Sequence, residues 1–124
     1  MLTIGELADR GKLRTSALRY YEAEGLVVPA ARVSGQRRYD ESAVEKLAVI
    51  RFCQELGFTL AEIKVLLKEP RGARQKARWR GLVDAKIAEL DKTAARVRAM
   101  KKVLATSRDC DCVDVHECAR LCAA

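Results

Sequence analysis

Four of the chain's five cysteines and its single histidine lie within one short segment near the C-terminal end. The candidate ligands in this segment are Cys110, Cys112, His116, Cys118 and Cys122. Thiolate and imidazole groups are the ligands that zinc, copper and other soft metals prefer. The surrounding residues are polar and rich in Asp and Glu, so they offer little apolar surface in which to bury free cysteines. The residue types therefore predict metal or redox chemistry, and we expect a signal to enter here.

The overall charge indicates a polyanionic partner. Lys and Arg number 24 against 17 Asp and Glu, which gives a formal net charge of +7 and favours nucleic acid as the partner. No early apolar signal segment or stretch of membrane-spanning length is apparent, so we expect a cytoplasmic protein. In a reducing compartment, five cysteines favour metal or redox chemistry over disulfides. A lone histidine, without paired carboxylates in an apolar setting, argues against an enzyme.

Two short helices are predicted at the start of the chain. Thr3 and Glu6 have the spacing of a capping box, which predicts a helix over about 3–10. Thr15 is the expected N-cap of a second helix, and Gly25 supplies the left-handed residue that commonly ends one. Such a pair is typical of a helix-turn-helix, whose second helix enters the major groove of DNA. The side chains expected to reach base edges and phosphates from this helix are Arg14, Ser16, Arg19 and Tyr20.

A small β-hairpin, or wing, is predicted after the helix pair. Ser34-Gly35 is a turn signal between two short extended segments. Cationic and aromatic side chains on such a wing can contact the phosphate backbone of DNA. The candidate wing contacts are Arg37, Arg38 and Tyr39, with Arg32 across the turn.

Two further helices are predicted between the wing and the second proline. Asp40 is the expected N-cap of the third helix. Thr59 and Glu62 repeat the capping-box spacing at the start of the fourth, which stops before Pro70. Cys53 lies on the apolar side of the third helix, so we interpret it as a core residue and not as a ligand.

A basic linker over 71–76 is followed by a predicted long helix over about 77–106. Its apolar residues recur at alternating steps of four and three, interrupted at Lys101, which is the spacing of a two-helix seam. This apolar stripe consists of Val83, Ile87, Leu90, Ala94, Val97 and Leu104. A lone helix would leave the stripe in water, so we predict a homodimer; folding back onto the N-terminal domain is the alternative. We expect Trp79 to pack between the subunits or against the partner's DNA-binding domain.

Five short motifs follow one another along the first half of the chain. They are Thr3-Ile-Gly-Glu-Leu-Ala8, Ala17-Leu-Arg-Tyr-Tyr-Glu22, Glu24-Gly-Leu26, Gln36-Arg-Arg-Tyr39 and Leu56-Gly-Phe-Thr-Leu60. In this order they resemble the MerR family of bacterial transcription regulators. The resemblance implies a mainly α fold in which a winged helix-turn-helix DNA-binding domain is followed by a long dimerisation helix, paired as an antiparallel coiled coil. The implied division is 1–70 for the DNA-binding domain, 71–107 for the linker and dimerisation helix, and 108–124 for a Cys-rich effector-sensing tail.

The same resemblance implies how such a protein acts on DNA. A homodimer would bind a dyad-symmetric operator in double-stranded promoter DNA and control RNA polymerase there, because an effector changes the bending and untwisting of the DNA. Arg19, Tyr20, Arg37 and Tyr39 match motif positions of DNA-contacting residues in the family. Arg14, Ser16 and Arg38 are added to this set from their positions in the sequence.

The family resemblance leaves the effector open. The separation of Cys110 and Cys118 resembles the metal-binding loop of MerR-type sensors of soft metals, and thiolates so spaced can converge on one ion. Sensors of divalent ions usually carry a further cysteine at the start of the dimerisation helix, and sensors of monovalent ions a serine. Residues 75–79 of this chain contain neither. This departure argues against carrying either metal mechanism over directly to this chain.

Cys110, Cys112 and Cys118 also resemble the last three cysteines of SoxR, an iron-sulfur redox sensor of the same family. The first cysteine of that branch falls at Ser107, and a [2Fe–2S] cluster would need Cys122 in its place. Thiol oxidation to a disulfide is a third route. We predict a transcription regulator that senses a thiophilic metal ion such as zinc or copper, with iron-sulfur or thiol-based redox sensing as the alternative.

Overall fold

The computed structural model describes residues 1–123, which form six α-helices and one β-hairpin. In chain order the elements are α1 (Ile4–Gly11), α2 (Thr15–Ala23), β1 (Ala31–Val33), β2 (Gln36–Arg38), α3 (Glu41–Glu55), α4 (Leu60–Lys68), α5 (Ala73–Asp109) and α6 (Val115–Leu121). The chain divides into two compact units, Met1–Trp79 and Arg80–Ala124. Within 1–123, no helix combines the length and apolar character that crossing a membrane requires. The mainly helical fold, with a wing and a long helix after the helix-turn-helix, is confirmed.

The first two helices form the predicted helix-turn-helix. The Thr3 hydroxyl accepts a hydrogen bond from the Glu6 amide at 3.1 Å, and the Glu6 carboxylate accepts one from the Thr3 amide at 3.1 Å. This capping box satisfies amides that the first turn of α1 leaves free. The N-cap of α2 is Arg14 and not the predicted Thr15, because Thr15 is already the first helical residue. No side chain caps α2, so its first amides keep their capacity to bind an anion.

The wing is a two-stranded antiparallel hairpin that places Arg32 opposite Arg37. Its turn is Ser34-Gly35, with φ values of 52° and 80°. Two successive left-handed residues give a two-residue turn the twist that the flanking strands need. The backbones of Leu2 and Tyr39 exchange hydrogen bonds of 2.7 and 2.8 Å, which tie the base of the wing to the residue before α1.

Helices α3 and α4 complete the core of the first unit. The Asp40 carboxylate accepts a hydrogen bond from the Ser42 amide at 3.0 Å, and Thr59 and Glu62 form a second capping box, so both predicted caps are confirmed. Cys53 is 1% exposed, which confirms it as a core residue, and burial raises the pKa of its thiol. The most deeply buried large side chains are Leu7, Leu18, Val27, Tyr39, Leu47, Ile50, Cys53 and Ile63.

Helix α5 is longer than predicted at both ends. It begins at Ala73, inside the expected linker, because the Gly72 carbonyl accepts a hydrogen bond from the Lys76 amide at 3.1 Å and starts the helix. The residues that follow Gly72 are mostly strong helix formers, which favours this early start. Within the single chain the apolar stripe is exposed from Ile87 onward, with Leu90 50% exposed and Val97 47% exposed.

Trp79 packs against two aromatic side chains of its own chain, and its contact with a partner subunit stays a prediction. Its ring centroid lies 5.9 Å from that of Phe52 and 5.3 Å from that of Phe58. Tilted aromatic pairs at such distances add to the stabilisation that burial alone provides. The start of α5 is therefore attached to the unit Met1–Trp79.

Candidate nucleic-acid interface and candidate metal centre

Cationic side chains from three elements converge on a cleft of about 490 Å³ in the first unit. Arg19 comes from α2, Arg32 from β1, and Arg37 and Arg38 from β2, while residues 3–5 at the start of α1 form another wall. Arg38 is half-buried and the other three are exposed. Concentrated positive charge with guanidinium donors fits the phosphate backbone of a nucleic acid.

Glu22 of α2 anchors the wing, a role that the sequence did not reveal. Its Oε2 accepts hydrogen bonds from Arg37 Nη1 at 3.2 Å and from the Tyr39 hydroxyl at 3.2 Å. The Glu22 side chain is only 16% exposed, so these charge-assisted bonds are partly shielded from water. One carboxylate therefore orients Arg37 and ties β2 to the helix-turn-helix. In the sequence it was only the last residue of the Ala17–Glu22 motif.

Tyr39 lies under the wing and not on its surface. Its side chain is 1% exposed, and burial together with the Glu22 carboxylate raises its pKa. Packing and the Glu22 hydrogen bond hold the Tyr39 hydroxyl in the core, beneath the surface of the wing. The direct contact between Tyr39 and DNA stays a prediction.

The predicted contacts at the start of α2 are all accessible. This region combines exposed polar side chains with the uncapped amides of the helix, and Tyr20 is 49% exposed. The exposed side chains in this region are Arg14, Ser16, Arg19 and Tyr20.

The four C-terminal cysteines come together around α6, a helix that was not predicted. Cys110 directly follows α5, Cys112 lies in the loop, Cys118 is on α6 and Cys122 is its C-cap. The Asp114 carboxylate accepts a hydrogen bond from the Glu117 amide at 2.9 Å and so caps the start of α6. Cys118 and Cys122 are four residues apart, so the helix turns both toward the same side.

Their sulfur atoms form one compact group. The four Sγ atoms all lie within 4.8 Å of one another. The Cys110 and Cys118 Sγ atoms are 3.5 Å apart, and those of Cys112 and Cys122 are 3.8 Å apart. All four are half-buried free thiols. Soft donors that converge on one point are the arrangement that a thiophilic ion requires.

The thiols alter one another's pKa values. Hydrogen bonds from the backbone and the thiol of Cys112, and then from the Cys118 thiol, lower the pKa of Cys110. The hydrogen bond with Cys110, followed by loss of solvation, raises the pKa of Cys112. Loss of solvation is also the main cause of the raised pKa of Cys122. Cys110 therefore loses its proton more readily than an ordinary thiol, whereas Cys112 and Cys122 hold theirs more firmly.

His116 lies apart from this sulfur group. It is exposed on α6, and the group of converging ligand atoms contains the four cysteines without it. Its assignment as a metal ligand stays a prediction. The convergence of Cys122 with the other three thiols could have been suspected from its spacing of four residues from Cys118, but only if α6 had been recognised as a helix.

Comparisons with known proteins agree over most of the chain. Residues 2–70 match the family described as "MerR HTH family regulatory protein", and residues 44–107 match "MerR, DNA binding". The mercuric resistance operon regulatory protein of Bacillus cereus is 36% identical over 101 residues, which are 81% of this chain and 75% of that protein. An HTH-type transcriptional activator SoxR homolog of Chromobacterium violaceum is 29% identical over 126 residues, which span 94% of this chain and 80% of that protein.

A solved structure gives a similar result for the fold. The transcription regulator PbrR691 from Ralstonia metallidurans CH34, crystallised in complex with lead(II), superposes with a TM-score of 0.76 at 34% sequence identity. The match covers 92% of this chain and 91% of that one.

Proposed function

This chain belongs to the MerR family of helix-turn-helix transcription regulators, and we propose that it is a homodimer whose C-terminal cysteines sense a thiophilic metal ion. In this proposal residues 1–70 bind DNA, residues 71–107 connect and pair the subunits, and residues 108–124 receive the ion. Binding of the ion shifts the dimer between two states that distort promoter DNA differently. The ion is an effector, and no residue has a catalytic role.

One observation carries the proposal: four thiols converge within 4.8 Å at the end of the chain. Free cysteines usually lie in a packed core, whereas these four are only half-buried. Sulfur donors at this spacing suit soft ions, which thiolates select over magnesium or calcium. The names of two related proteins, one a mercuric resistance regulator and one a lead(II) complex, support the same class of effector.

Promoter DNA is the proposed partner of the arginine cleft and of the start of α2. The cleft offers guanidinium donors for phosphates, and the uncapped amides of α2 favour a further phosphate. A protein that acts on promoter DNA with RNA polymerase works in the cytoplasm. The side chains proposed to contact DNA directly are Arg14, Ser16, Arg19, Tyr20, Arg32, Arg37 and Arg38. Tyr39 is proposed to support the wing from beneath through its bond to Glu22.

Dimerisation accounts for the exposed stripe on α5. Apolar side chains at the spacing of a two-helix seam, such as Ile87 and Leu90, are about half exposed in one chain. A second α5 running antiparallel would cover them and give the dimer the two-fold symmetry that a dyad operator needs. We therefore propose an antiparallel coiled coil formed by α5 of two copies.

Redox sensing is the alternative function. The similarity to a SoxR homolog favours it, as do the two sulfur pairs at 3.5 and 3.8 Å, each of which could close to a disulfide on oxidation. A [2Fe–2S] cluster held by the four cysteines belongs to the same alternative.

Elemental analysis and the visible absorption spectrum of protein purified without oxygen test the proposal. We expect a colourless protein that carries a stoichiometric thiophilic ion such as zinc or copper. The double variant Cys110→Ser/Cys118→Ser should lose the ion, whereas Val113→Ser, in the same loop but 83% exposed, should keep it. Visible bands of an iron-sulfur cluster would favour the alternative. Failure to bind any ion after metal titration would contradict metal sensing.

A further inference from the structure

We infer that the four cysteines of one chain form a complete tetrahedral site for a single divalent ion, with Cys122 as the fourth ligand and no ligand from the partner subunit. The inference rests on the proposed metal-sensing function and names its effector class: a divalent thiophilic ion that takes four sulfur ligands, such as Zn²⁺ or Cd²⁺. It also makes each subunit of the dimer a separate sensor.

The sulfur atoms already lie near the distances of a tetrahedral metal site. In a tetrahedral site with metal–sulfur bonds of about 2.3 Å, neighbouring sulfur atoms stand about 3.8 Å apart. The Cys110–Cys118 and Cys112–Cys122 pairs, at 3.5 and 3.8 Å, already lie close to that edge length. The remaining pairs are no longer than 4.8 Å, so side-chain shifts of about 1 Å would close the tetrahedron.

The same distances disfavour the two other thiolate sites. An ion held in line between two sulfurs would use only two of the four thiols, although the other two sulfur atoms lie within 4.8 Å of them. A [2Fe–2S] cluster has two irons, each with its own pair of cysteines, so the two pairs must stand apart by the length of the cluster. Here all four sulfurs share one space.

No cysteine outside the C-terminal group is placed to bind the same ion. The chain has five, and the fifth, Cys53, is 1% exposed in the core of the other unit. Residues 75–79, at the start of α5, contain no cysteine that a partner subunit could contribute. The fourth sulfur is instead supplied by Cys122 of the same chain.

Helix α6 explains how Cys122 reaches the site. The Cys122 amide donates a hydrogen bond to the Cys118 carbonyl at 2.8 Å, so the last turn of α6 fixes both residues. Asp114 caps the other end. Charge also favours a divalent ion, because four thiolates leave a net charge of −2 around a divalent ion but −3 around a monovalent one.

X-ray absorption spectroscopy of the full-length dimer loaded with Zn²⁺ or Cd²⁺ tests the inference. We expect one ion per chain with four sulfur neighbours in the wild-type protein. The Cys122→Ser variant should show three sulfurs and one lighter atom, and chelator competition should give an affinity at least tenfold weaker. Cys112→Ser should behave in the same way.

Two controls make the result specific. His116→Ala and Val113→Ser should both keep four sulfur neighbours and the wild-type affinity. The inference would be overturned if Cys122→Ser kept four sulfur neighbours or if His116→Ala lost a nitrogen neighbour. A stoichiometry of half an ion per chain in the wild type would also overturn it. An ion with only two sulfur neighbours, from Cys110 and Cys118, would overturn the four-sulfur site but leave the proposed metal sensing intact. The absence of any sulfur-bound ion would contradict both the four-sulfur site and metal sensing.

Mixed dimers test the independence of the subunits. A wild-type chain is paired with a tagged chain in which Cys110, Cys112, Cys118 and Cys122 are all replaced by Ser, and the mixed dimer is isolated. We expect one ion per mixed dimer, still with four sulfurs and the wild-type affinity. Loss of the ion, or a lower sulfur count, would mean that the partner supplies ligands and would contradict the inference.

Discussion

At the scale of single residues, the wing depends on one carboxylate that serves two neighbours. Glu22 accepts hydrogen bonds from Arg37 and Tyr39, so it fixes the positions of both side chains. The cationic character of the wing could be predicted from the sequence, because arginines are recognisable by type. The burial of Tyr39 could not be predicted, because it depends on Glu22 of α2, seventeen positions away, which folding brings alongside.

Arg19 and Arg37 are predicted to contact phosphates. Replacing either with Ala should weaken operator binding and lower the slope of log affinity against log salt by about one unit per lost contact. Fluorescence anisotropy with operator DNA across a salt series measures both quantities. Arg96→Ala, an exposed arginine on α5, is the matched control and should change neither. Unchanged slopes in both cleft variants would remove these residues from the interface.

Tyr39 is predicted to act through packing and its bond to Glu22. Tyr39→Phe keeps the ring but removes the hydroxyl, which should lower the free energy of unfolding by about 1.5–3 kcal/mol, the value of a hydrogen bond to a charged group. The salt slope of operator binding should remain that of the wild type. Urea unfolding and the same anisotropy series measure the two effects. A flatter salt slope with unchanged stability would instead indicate a direct phosphate contact.

At the scale of elements, local signals predicted helix starts well and lengths less well. The caps at Thr3, Asp40 and Thr59 are confirmed because a cap depends on residues only two or three positions away. Helix α5 starts earlier than predicted because an apolar stripe shows which face of a helix is apolar and not where the helix begins. Helix α6 is only seven residues long and too short for periodicity to reveal it, although Asp114 caps it in the same way.

The cap at Asp40 makes the stability of α3 depend on pH. Hydrogen bonds from Ser42 lower the pKa of Asp40 below its ordinary value of 3.8. The contribution is therefore fully present above 3.8 and is lost as the pH falls through the lower folded-state value. Asp40→Ala should lower the urea midpoint at neutral pH, and the gap from the wild type should narrow in acid.

Asp40→Asn is the matched variant for this prediction. An asparagine can still cap the helix but has no carboxyl proton to bind, so its midpoint should stay near that of the wild type at neutral pH and lack the Asp40 contribution to acid sensitivity. Equal midpoints for Asp40→Ala and the wild type at neutral pH would show that the cap contributes nothing to stability.

At the scale of the whole molecule, we propose that the first unit binds DNA and that the cysteines of the second bind the effector. This division could be predicted from the sequence, because basic motifs occupy one end and cysteines the other. The pairing of the four sulfur atoms could not be predicted, because several ligand sets fit the spacing of the cysteines in the sequence. Only helix α6 brings Cys122 beside Cys112. Coupling between the units requires a dimer with two states that ion and DNA favour differently.

Dimerisation is predicted to depend on the α5 stripe. Leu90→Glu places a charge in the seam and should cost several kcal/mol of dimer stability, as expected for an unpaired charge in an interface. Ala99→Glu adds the same charge nine residues further on, on the opposite face of the helix, and should leave the dimer intact. Sedimentation equilibrium at micromolar concentration distinguishes them, and a monomeric wild-type protein would refute the coiled coil.

Transcription in vitro from the native promoter, with and without added Zn²⁺ or Cd²⁺, tests metal sensing most directly. The wild type and Val113→Ser should activate transcription when the ion is added. Cys110→Ser and Cys118→Ser should bind the operator with nearly wild-type affinity yet fail to respond, because they lose the effector site and keep the DNA-binding unit. Normal ion-dependent activation by these two variants would contradict the assignment of the C-terminal cysteines as the sensor.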